Sequence, residues 1–425
     1  MKIMNFTAVC HVVTIAFSLL YCQFCKAYVG VSKMASPNQK LTSTTDAEDM
    51  TSIGSLNVPA VGIGTISWSS NSLFDTENEQ LDEVVSMAYR SNAAFFDTAE
   101  RYGTHWKTAF GMGYGETERM TSKYIQKAIL TENTSDKPVL LTKFLPTPWR
   151  RDVQSVVDAC EQSCRNLGVD QIDLYQIHMP DVVQPLRSFG KVETKNSIYW
   201  DGLAECYNKG LVKNVGVCNY GPTLLEQCQK SLAQKGVPLA SNQISFSLLG
   251  RHNGSQETVD KCNELGIKVL ACYPFAMGLL TGKYSKTVSD QNLGLTDRSL
   301  TTSKKTNIEL ADLERYASGD GITIPHGGIQ PLLTTMTSIA KKRNKTVSQI
   351  ALNYIISKGA IPIPGCRTAT QLEDNMGAMG WRLSEIEVKM LELEADKLGF
   401  GFDGAGFKRT DEKFVGYGVE KWTLD

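Results

Sequence analysis

The sequence predicts a closed (β/α)8 barrel, the TIM-barrel architecture of the α/β class, folded as a single domain over residues 51–400. Eight short apolar runs alternate with stretches of helical period along this part of the chain. Glycines follow five of the helical stretches, as helix-terminating glycines do, at Gly168, Gly210, Gly236, Gly266 and Gly359. A doubly wound open sheet is the alternative, and it is disfavoured because no GxGxxG motif follows the first apolar run.

The apolar runs are interpreted as the barrel strands, and they are Val58–Gly64, Ala93–Thr98, Val139–Phe144, Ile172–His178, Lys213–Asn219, Ser241–Ser247, Lys268–Tyr273 and Ala360–Pro364. Most are separated by predicted helices, which are Glu77–Arg90, Thr117–Leu130, Arg151–Leu167, Leu203–Lys209, Thr223–Lys235, Gln256–Leu265 and Leu332–Ser357. Because side chains alternate along a strand, we expect one of Phe95 and Phe96 to face the barrel interior and the other the helix layer.

The composition is ordinary for a soluble globular protein, with 42% hydrophobic and 21% charged residues among 425. The net charge of -1 gives no field that would attract nucleic acid or an anionic membrane, so we expect neither nucleic-acid binding nor stable membrane association. Eight of the eleven cysteines lie beyond residue 27 and show no zinc-like or CxxC spacing, so no metal site is predicted. The oligomeric state is left open.

Residues 1–27 have the pattern of a secretory signal peptide, with Lys2, the apolar run Ala8–Tyr21, and small residues at Cys25 and Ala27. Residues 28–50 are rich in Ser and Thr and poor in acids, as in a transit peptide. Together the two segments resemble the leaders of algae with complex plastids, and they predict a plastid protein delivered through the endoplasmic reticulum. The alternative is a secreted protein with a disordered linker at 28–50, which the lack of a disulfide-like cysteine framework disfavours.

Two segments depart from the strand–helix alternation. Residues 285–330 are polar and rich in Ser, Thr and Gly, and a loop insertion of that length is usually functional or disordered. Residues 401–425 form a tail rich in glycine and aromatic residues, which either closes over the barrel mouth or frays.

Polar residues end three consecutive predicted strands, where barrel enzymes build their active sites. Asp97, Lys143 and His178 lie at these ends, and Tyr102 follows Asp97 by five residues. A tyrosine hydroxyl titrates near about 10, and an adjacent ammonium lowers that pKa. We therefore expect Asp97 to hold Lys143 charged beside Tyr102.

This set of residues suits the protonation of an oxygen on which negative charge develops, because Tyr102 can donate the proton and His178 can fix the substrate oxygen by a hydrogen bond. Delivery of a hydride to a carbonyl requires such a proton donor. None of the side chains can supply a hydride, so a nicotinamide cofactor is implied.

On these residues the chain resembles the aldo/keto reductase family over roughly residues 55–400. The matching pieces are Asp97-Thr98-Ala99 with Tyr102-Gly103, Lys143, His178, Gly216-Val217-Cys218-Asn219, Asn242-Gln243, Tyr273-Pro274 and Ile361-Pro362-Ile363-Pro364-Gly365. Further segments are similar to plant and algal plastid members near the pyridoxal reductases: Leu145–Arg150, Leu239–Gln243 and Leu280–Tyr284. The resemblance implies a catalytic tetrad of Asp97, Tyr102, Lys143 and His178, with Tyr102 as the general acid in reduction.

The resemblance also implies the residues that bind NADPH (NADP+), which are Cys218, Asn219, Gln243, Tyr273, Gly282, Lys283, Gly365, Arg367, Gln371 and Asn375. Asn219 and Gln243 would bind the nicotinamide carboxamide, and Tyr273 would stack on the nicotinamide ring. Gly282 and Lys283 would meet the pyrophosphate, and the segment from Gly365 to Asn375 would hold the adenosine end. Arg367 favours NADPH over NADH because a guanidinium binds a 2′-phosphate bidentately.

Cys218 stands where family members commonly have Ser, and the weaker hydrogen bonds of a thiol imply weaker orientation of the cofactor. The predicted function is NADPH-dependent reduction of an aldehyde or ketone to an alcohol. The alternative is an NADPH-binding sensor or regulatory subunit that keeps the barrel and turns over little. The particular carbonyl substrate and the physiological direction stay open.

Overall fold

The computed structural model describes residues 50–69, 78–103, 114–181, 195–252, 254–282 and 329–398. Residues 1–49 of the predicted leader, the tail 401–425, residues 285–328 of the predicted insertion, and Lys283 lie outside the described residues, while Met50, the last residue of the predicted leader, begins the first strand. None of the helices in the described part of the chain is long and apolar enough to cross a membrane.

A short antiparallel hairpin comes first, formed by β1 (Met50–Ile53) and β2 (Leu56–Pro59). Its Ile53, Leu56 and Val58 pack in one buried cluster with Phe95 and Leu141, which come from barrel strands. The backbone N–H of Ser55 at its turn donates to Asn214 Oδ1 at 3.0 Å. The hairpin therefore fills one end of the barrel. The predicted first strand Val58–Gly64 is wrong in its extent, because Val58 belongs to the hairpin.

The eight strands that follow are parallel and lie side by side in chain order. They are β3 (Ile63–Gly64), β4 (Phe95–Asp97), β5 (Val139–Phe144), β6 (Ile172–Ile177), β7 (Val212–Cys218), β8 (Leu239–Ser245), β9 (Lys268–Cys272) and β10 (Ile361–Pro362). Backbone hydrogen bonds from Gly62 to Pro362 at 3.0 Å and from Gly64 to Pro364 at 2.9 Å join the first strand to the last. The predicted barrel is confirmed.

The helices of the described part of the chain surround the strands. They are α1 (Glu79–Arg90), α2 (Glu116–Glu132), α3 (Val153–Leu167), α4 (Asn196–Asn208), α5 (Pro222–Ala233), α6 (Ser255–Leu265), α7 (Gln330–Arg343), α8 (Val347–Ser357), α9 (Ala369–Met376) and α10 (Glu385–Asp396), with a 3₁₀ helix at Ala276–Thr281. Phe95 packs in the barrel interior and Phe96 in the larger cluster beneath the helices, as predicted.

The single helix predicted over Leu332–Ser357 is wrong, because the chain forms α7 and α8 there. Asn344 adopts a left-handed conformation (φ 53°) that ends α7. Thr346 then caps α8 in a reciprocal capping box with Gln349. An Asn-x-Thr-x-x-Gln pattern inside an apolar periodic stretch was the signal for this break.

Candidate active site

The ammonium of Lys143 lies at the centre of the candidate site, fully buried near the end of β5. Its Nζ donates to Asp97 Oδ2 at 2.7 Å, to the Thr98 carbonyl at 2.7 Å and to Tyr102 Oη at 3.2 Å. An ammonium has three N–H donors, and these three acceptors use all of them. The cation is therefore held in one position against the tyrosine hydroxyl.

Asp97 ends β4 and is almost completely buried. Its two carboxylate oxygens have different partners, since Oδ2 accepts from Lys143 and Oδ1 accepts from Gln243 Nε2 at 3.0 Å. A buried ion pair is stable only when both charges keep such partners. The carboxylate thus ties β4, β5 and β8 together beneath the site.

Tyr102 is fixed by its own turn. Its backbone N–H donates to the Ala99 carbonyl at 3.1 Å, and its carbonyl accepts from Thr117 in the first turn of α2 at 3.3 Å. The Lys143 ammonium lies 4.9 Å from the centre of the phenol ring. Because Tyr102 Oη is the acceptor in its hydrogen bond with Lys143, the phenol proton is not used in that bond.

His178 directly follows β6, and its backbone N–H donates to the Phe144 carbonyl at 2.7 Å. Its ring meets the Tyr102 ring edge to face, with centroids 5.7 Å apart and planes at 74°. Burial, and then the positive charges of Lys143 and Arg101, hold the pKa of His178 well below its usual value. The imidazole is therefore neutral, and its Nδ1 is buried without a hydrogen-bond partner among the described residues.

The structure brings the four predicted tetrad residues together at the carboxyl ends of consecutive strands. Asn219 lies beside them after β7, with a left-handed backbone (φ 63°). Its Nδ2 donates to the His178 carbonyl at 3.0 Å, and its backbone N–H donates to the Gln243 carbonyl at 2.8 Å. Asn219 and Gln243 are thus adjacent, as a shared ligand would require.

Cys218 is buried at the end of β7, and its thiol donates a long hydrogen bond to Gln176 Oε1 at 3.8 Å. Burial raises the pKa of this thiol well above its usual value, so the group stays protonated. The thiol therefore acts as a weak hydrogen-bond donor below the strand ends and not as a nucleophile.

The segment after β9 carries unusual backbone strain. Among the described residues with positive φ that are neither glycine nor asparagine, all fall here: Tyr273 (53°), Ala276 (46°) and Met277 (58°). Such conformations persist only where the surroundings impose them, and they cluster at functional sites. Gly282 closes the segment at φ 77°, next to Val347 at the start of α8. Its predicted companion Lys283 lies outside the described residues.

The predicted adenosine-end residues follow β10. Gly365 bridges to Gly64 across the closure of the barrel. The backbone N–H of Arg367 donates to Gln371 Oε1 at 2.9 Å, and Thr368 caps α9 in the same turn. Asn375 is buried on α9. Arg367 and Gln371 are therefore brought together, while Asn375 faces the packed side of its helix.

Glu100 and Arg150 have a place beside this site that the sequence pattern did not predict. The Glu100 carboxylate is buried and accepts from the Leu145 backbone N–H at 2.6 Å and from Arg150 Nη1 at 2.7 Å and Nη2 at 3.1 Å. The available signal was a second acid, three residues after the strand-end Asp97, which has to find a partner once buried.

An open cavity of about 320 Å³ lies between α7 and α10, lined by Lys342, Arg343, Lys345, Trp381 and Glu387. It shares no residue with the tetrad. Among the described residues no group of three or more His, Cys, Asp or Glu could hold a metal ion. The tetrad is therefore proposed as the candidate active site because its residues can transfer a proton, and not because it lines this cavity or binds a metal.

Comparisons with known proteins agree with this architecture. The sequence model of the aldo/keto reductase family matches residues 60–393. The chain is 36% identical over 347 residues to "Pyridoxal reductase, chloroplastic" of Arabidopsis thaliana, covering 81% of this chain and 85% of that protein. It is 27% identical over 327 residues to an aldo-keto reductase of Strobilurus tenacellus, covering 74% and 81% of the two chains.

Solved structures show the same fold. A Bombyx mori aldo-keto reductase in complex with NADP aligns with a TM-score of 0.54 at 22% identity, covering 80% of this chain and 90% of that one. A thermostable aldo-keto reductase in complex with epalrestat aligns with a TM-score of 0.57 at 22% identity, covering 81% and 99%. Family match, relatives and fold together show that this chain belongs to the aldo/keto reductase family.

Proposed function

We propose that this protein reduces an aldehyde or ketone to an alcohol with NADPH, and that Tyr102 supplies the proton. The observation that carries the proposal is the buried Lys143 ammonium, which donates at once to Asp97 and to the Tyr102 hydroxyl. A structural ion pair alone would not need a tyrosine hydroxyl as its third acceptor. Family membership supports an oxidoreductase.

The proton transfer follows from this geometry. As negative charge develops on the substrate oxygen, Tyr102 gives up its proton, and the Lys143 ammonium at 3.2 Å stabilises the resulting phenolate. Asp97 at 2.7 Å supplies the negative charge that balances the ammonium of this fully buried lysine. In the oxidative direction the same phenolate oxygen takes the proton back.

His178 acts as a neutral hydrogen-bond donor. Its lowered pKa leaves one ring N–H, and its edge-to-face contact with Tyr102 places the imidazole next to the phenol. A neutral ring adds no second positive charge beside Lys143. We therefore assign His178 the task of orienting the substrate oxygen.

The residues at the strand ends fit a nicotinamide cofactor, which when bound supplies the hydride. Asn219 and Gln243 lie next to each other. Because Gln243 Nε2 donates to Asp97, the side-chain oxygen of Gln243 is the atom that would accept from a carboxamide N–H. Tyr273 directly follows β9, so an aromatic residue stands at the neighbouring strand end, and the positive-φ positions that begin with it continue to Gly282 beside Val347. Relatives solved with NADP and NADPH support the choice of cofactor.

Arg367 distinguishes NADPH from NADH in this proposal, because its guanidinium can bind a 2′-phosphate bidentately. Substitution Arg367→Met should raise the Kd for NADPH by about tenfold to a hundredfold, in the range of a lost charge-assisted hydrogen bond, and leave the Kd for NADH unchanged. The two Kd values are measured by quenching of tryptophan fluorescence. Equal losses for both cofactors would remove Arg367 from the 2′-phosphate site.

The central test is Tyr102→Phe in the purified protein, with NADPH oxidation followed in the presence of pyridoxal or a simple aromatic aldehyde. We expect turnover to be abolished while NADPH binding persists. Tyr199→Phe is the matched control, since Tyr199 is fully buried and its hydroxyl has no partner in the described structure. Full activity of Tyr102→Phe would refute the mechanism, and tight NADPH binding by the unaltered protein with negligible turnover across a carbonyl panel would favour a regulatory role.

Pyridoxal leads the substrate panel because the Arabidopsis thaliana relative is named a pyridoxal reductase and a chloroplastic one. We likewise propose a plastid location, with residues 1–27 as signal peptide and 28–50 as transit-like segment ahead of the barrel. Imaging a fusion of residues 1–50 to a fluorescent protein tests the address. Signal confined to the secretory pathway or the medium would overturn it.

A further inference from the structure

The turn between Asp97 and Tyr102 is held from outside by a buried carboxylate. Glu100 is 5% exposed and lies midway between the two residues. Its backbone N–H donates to the Lys143 carbonyl at 3.4 Å, and its side-chain Oε1 accepts from the Leu145 N–H at 2.6 Å. Glu100 therefore contacts the end of β5 on both sides of Phe144. One of these two contacts is with Lys143, the residue that carries the ammonium.

Arg150 completes the attachment. Its guanidinium donates to both oxygens of Glu100 at 2.7 and 3.1 Å, and it lies 4.2 Å from the centre of the Phe144 ring. Burial disfavours the charge of Arg150, but the Glu100 carboxylate outweighs this and raises the pKa of the guanidinium. A planar bidentate pair stacked on an aromatic ring fixes direction as well as distance.

The same carboxylate residue also fixes the other side of the turn. The Glu100 carbonyl accepts from the Gly115 N–H at 2.7 Å, at the residue that precedes α2. Thr117 of α2 in turn donates to the Tyr102 carbonyl. Through Glu100, the turn that carries Tyr102 is joined to β5 and to α2 at the same time.

We propose that Glu100 and Arg150 are positioning residues that set the separation between the Tyr102 hydroxyl and the Lys143 ammonium. The inference rests on the proposed function, since it matters only if Tyr102 transfers the proton. Neither residue touches the reacting atoms. Both act by holding the ends of two neighbouring strands in one relative position.

The pair has a defined electrostatic setting. The ionisable groups that face it from the neighbouring elements are Arg101 on the same turn, Lys143 on β5, Tyr114 ahead of α2, Glu118 on α2, Tyr175 on β6 and Tyr199 on α4. Burial raises the pKa of Tyr114, Tyr175 and Tyr199, so these phenols stay neutral. The negative charge that acts on Arg150 over the neutral range is therefore that of Glu100.

The test compares Glu100→Gln and Arg150→Met with the unaltered protein. A displacement of the reacting groups by about 1 Å can lower the rate about a hundredfold, so we expect kcat to fall by about tenfold to a hundredfold. KM for the carbonyl and Kd for NADPH should stay within about threefold, because the substrate and cofactor contacts remain. In the oxidative direction the limb of activity that rises with pH should move to higher pH, because the phenolate lies farther from the ammonium.

The matched control is the pair Arg343–Glu387, which is bidentate, partly buried and joins α7 to α10 away from the tetrad. Arg343→Met and Glu387→Gln should lower the Tm without changing kcat or the pH profile. Where Glu100→Gln fails to fold, Arg150→Lys serves instead, since it keeps the charge and loses the bidentate geometry.

A Glu100→Gln or Arg150→Lys protein whose Tm falls while its kcat and pH profile stay unaltered, as expected for the control pair, would overturn the inference. An active Tyr102→Phe protein would instead refute the proposed function. The two failures are therefore distinguishable.

Discussion

Removing the buried ammonium tests the candidate site most directly. In Lys143→Met the side chain keeps much of its volume and loses its charge. The hydrogen bonds to Asp97, Thr98 and Tyr102 all disappear. Asp97 keeps its second partner, Gln243. The variant therefore separates the charge of residue 143 from its packing.

The size of the effect follows from the distance between ammonium and phenol. Two unit charges 3.2 Å apart interact by about 5 kcal/mol at an effective dielectric constant of about 20. If half the charge has developed on Tyr102 in the transition state, about 2.5 kcal/mol is lost, and full development gives the whole value. Since about 1.4 kcal/mol is tenfold in rate, kcat should fall by about 60-fold to about 4,000-fold.

The same substitution should also destabilise the fold, because it leaves the buried Asp97 carboxylate without its cation. Removing one partner of a buried pair costs about 3–5 kcal/mol. The double variant Asp97→Asn with Lys143→Met buries no charge and should recover most of that stability. It should not recover activity, because the ammonium is still missing.

Single-turnover NADPH oxidation measures the rate of the chemical step, and urea unfolding measures the stability of each variant. A loss of less than tenfold in Lys143→Met would refute the assignment of the ammonium to phenolate stabilisation. Recovery of activity in the double variant would refute it equally, since the single variant would then be inactive only through misfolding.

Three further predictions concern the titration and packing of the barrel. The pKa of His178 is lowered in the folded state. As the pH falls below about 6.5, the imidazole of the unfolded state therefore takes up a proton before that of the folded state. The contribution of His178 to the free energy of unfolding is present above that pH and is lost below it. Urea unfolding at pH 7.5 and 5.5 should show a smaller pH dependence for His178→Gln than for the unaltered protein, and an equal dependence would contradict the neutral imidazole. Gly216→Ala places a methyl group 2.2 Å from Ser241 Oγ and should lower the free energy of unfolding by about 1–3 kcal/mol. Adding Ser241→Ala should recover part of that free energy in denaturant titrations. If nothing is recovered, the loss arises from the backbone and not from the contact with Ser241. Thr346→Ala removes the cap of α8 and should lower the free energy of unfolding by about 1 kcal/mol. The control is Thr334→Ala, which should change the free energy of unfolding little, because the exposed Thr334 hydroxyl donates only within its own helix. Equal effects of the two substitutions would contradict the capping role.

The local sequence pattern was enough to predict those elements of the fold whose structure depends only on their own residues. Barrel strands are short buried runs, and the polar residue that ends each run marks the face where sites form. Asp97, Lys143 and His178 were found in this way, one strand at a time. Their convergence followed from the barrel topology.

What local pattern could not show depends on partners distant in the chain. Gln243 donates to Asp97 across 146 positions, and Arg150 pairs with Glu100 across 50. Both contacts exist only after the strands are in register. The hairpin could not be predicted for a related reason. Val58 is as apolar as the residues of a barrel strand, and only its pairing with Thr51 shows that it belongs to the hairpin.

Glu100 shows why the missing contacts belong to the mechanism. Asp97 and Tyr102 lie on one turn, and a turn of that length does not by itself fix how far its two ends are from a side chain on the next strand. Lys143 bonds both residues, but at 3.2 Å its hydrogen bond to Tyr102 is the longest of its three. A separate attachment of the turn to β5 is therefore required wherever that distance has to be kept. Glu100 makes it on either side of Phe144, because its backbone N–H donates to the Lys143 carbonyl and its carboxylate accepts from the Leu145 N–H.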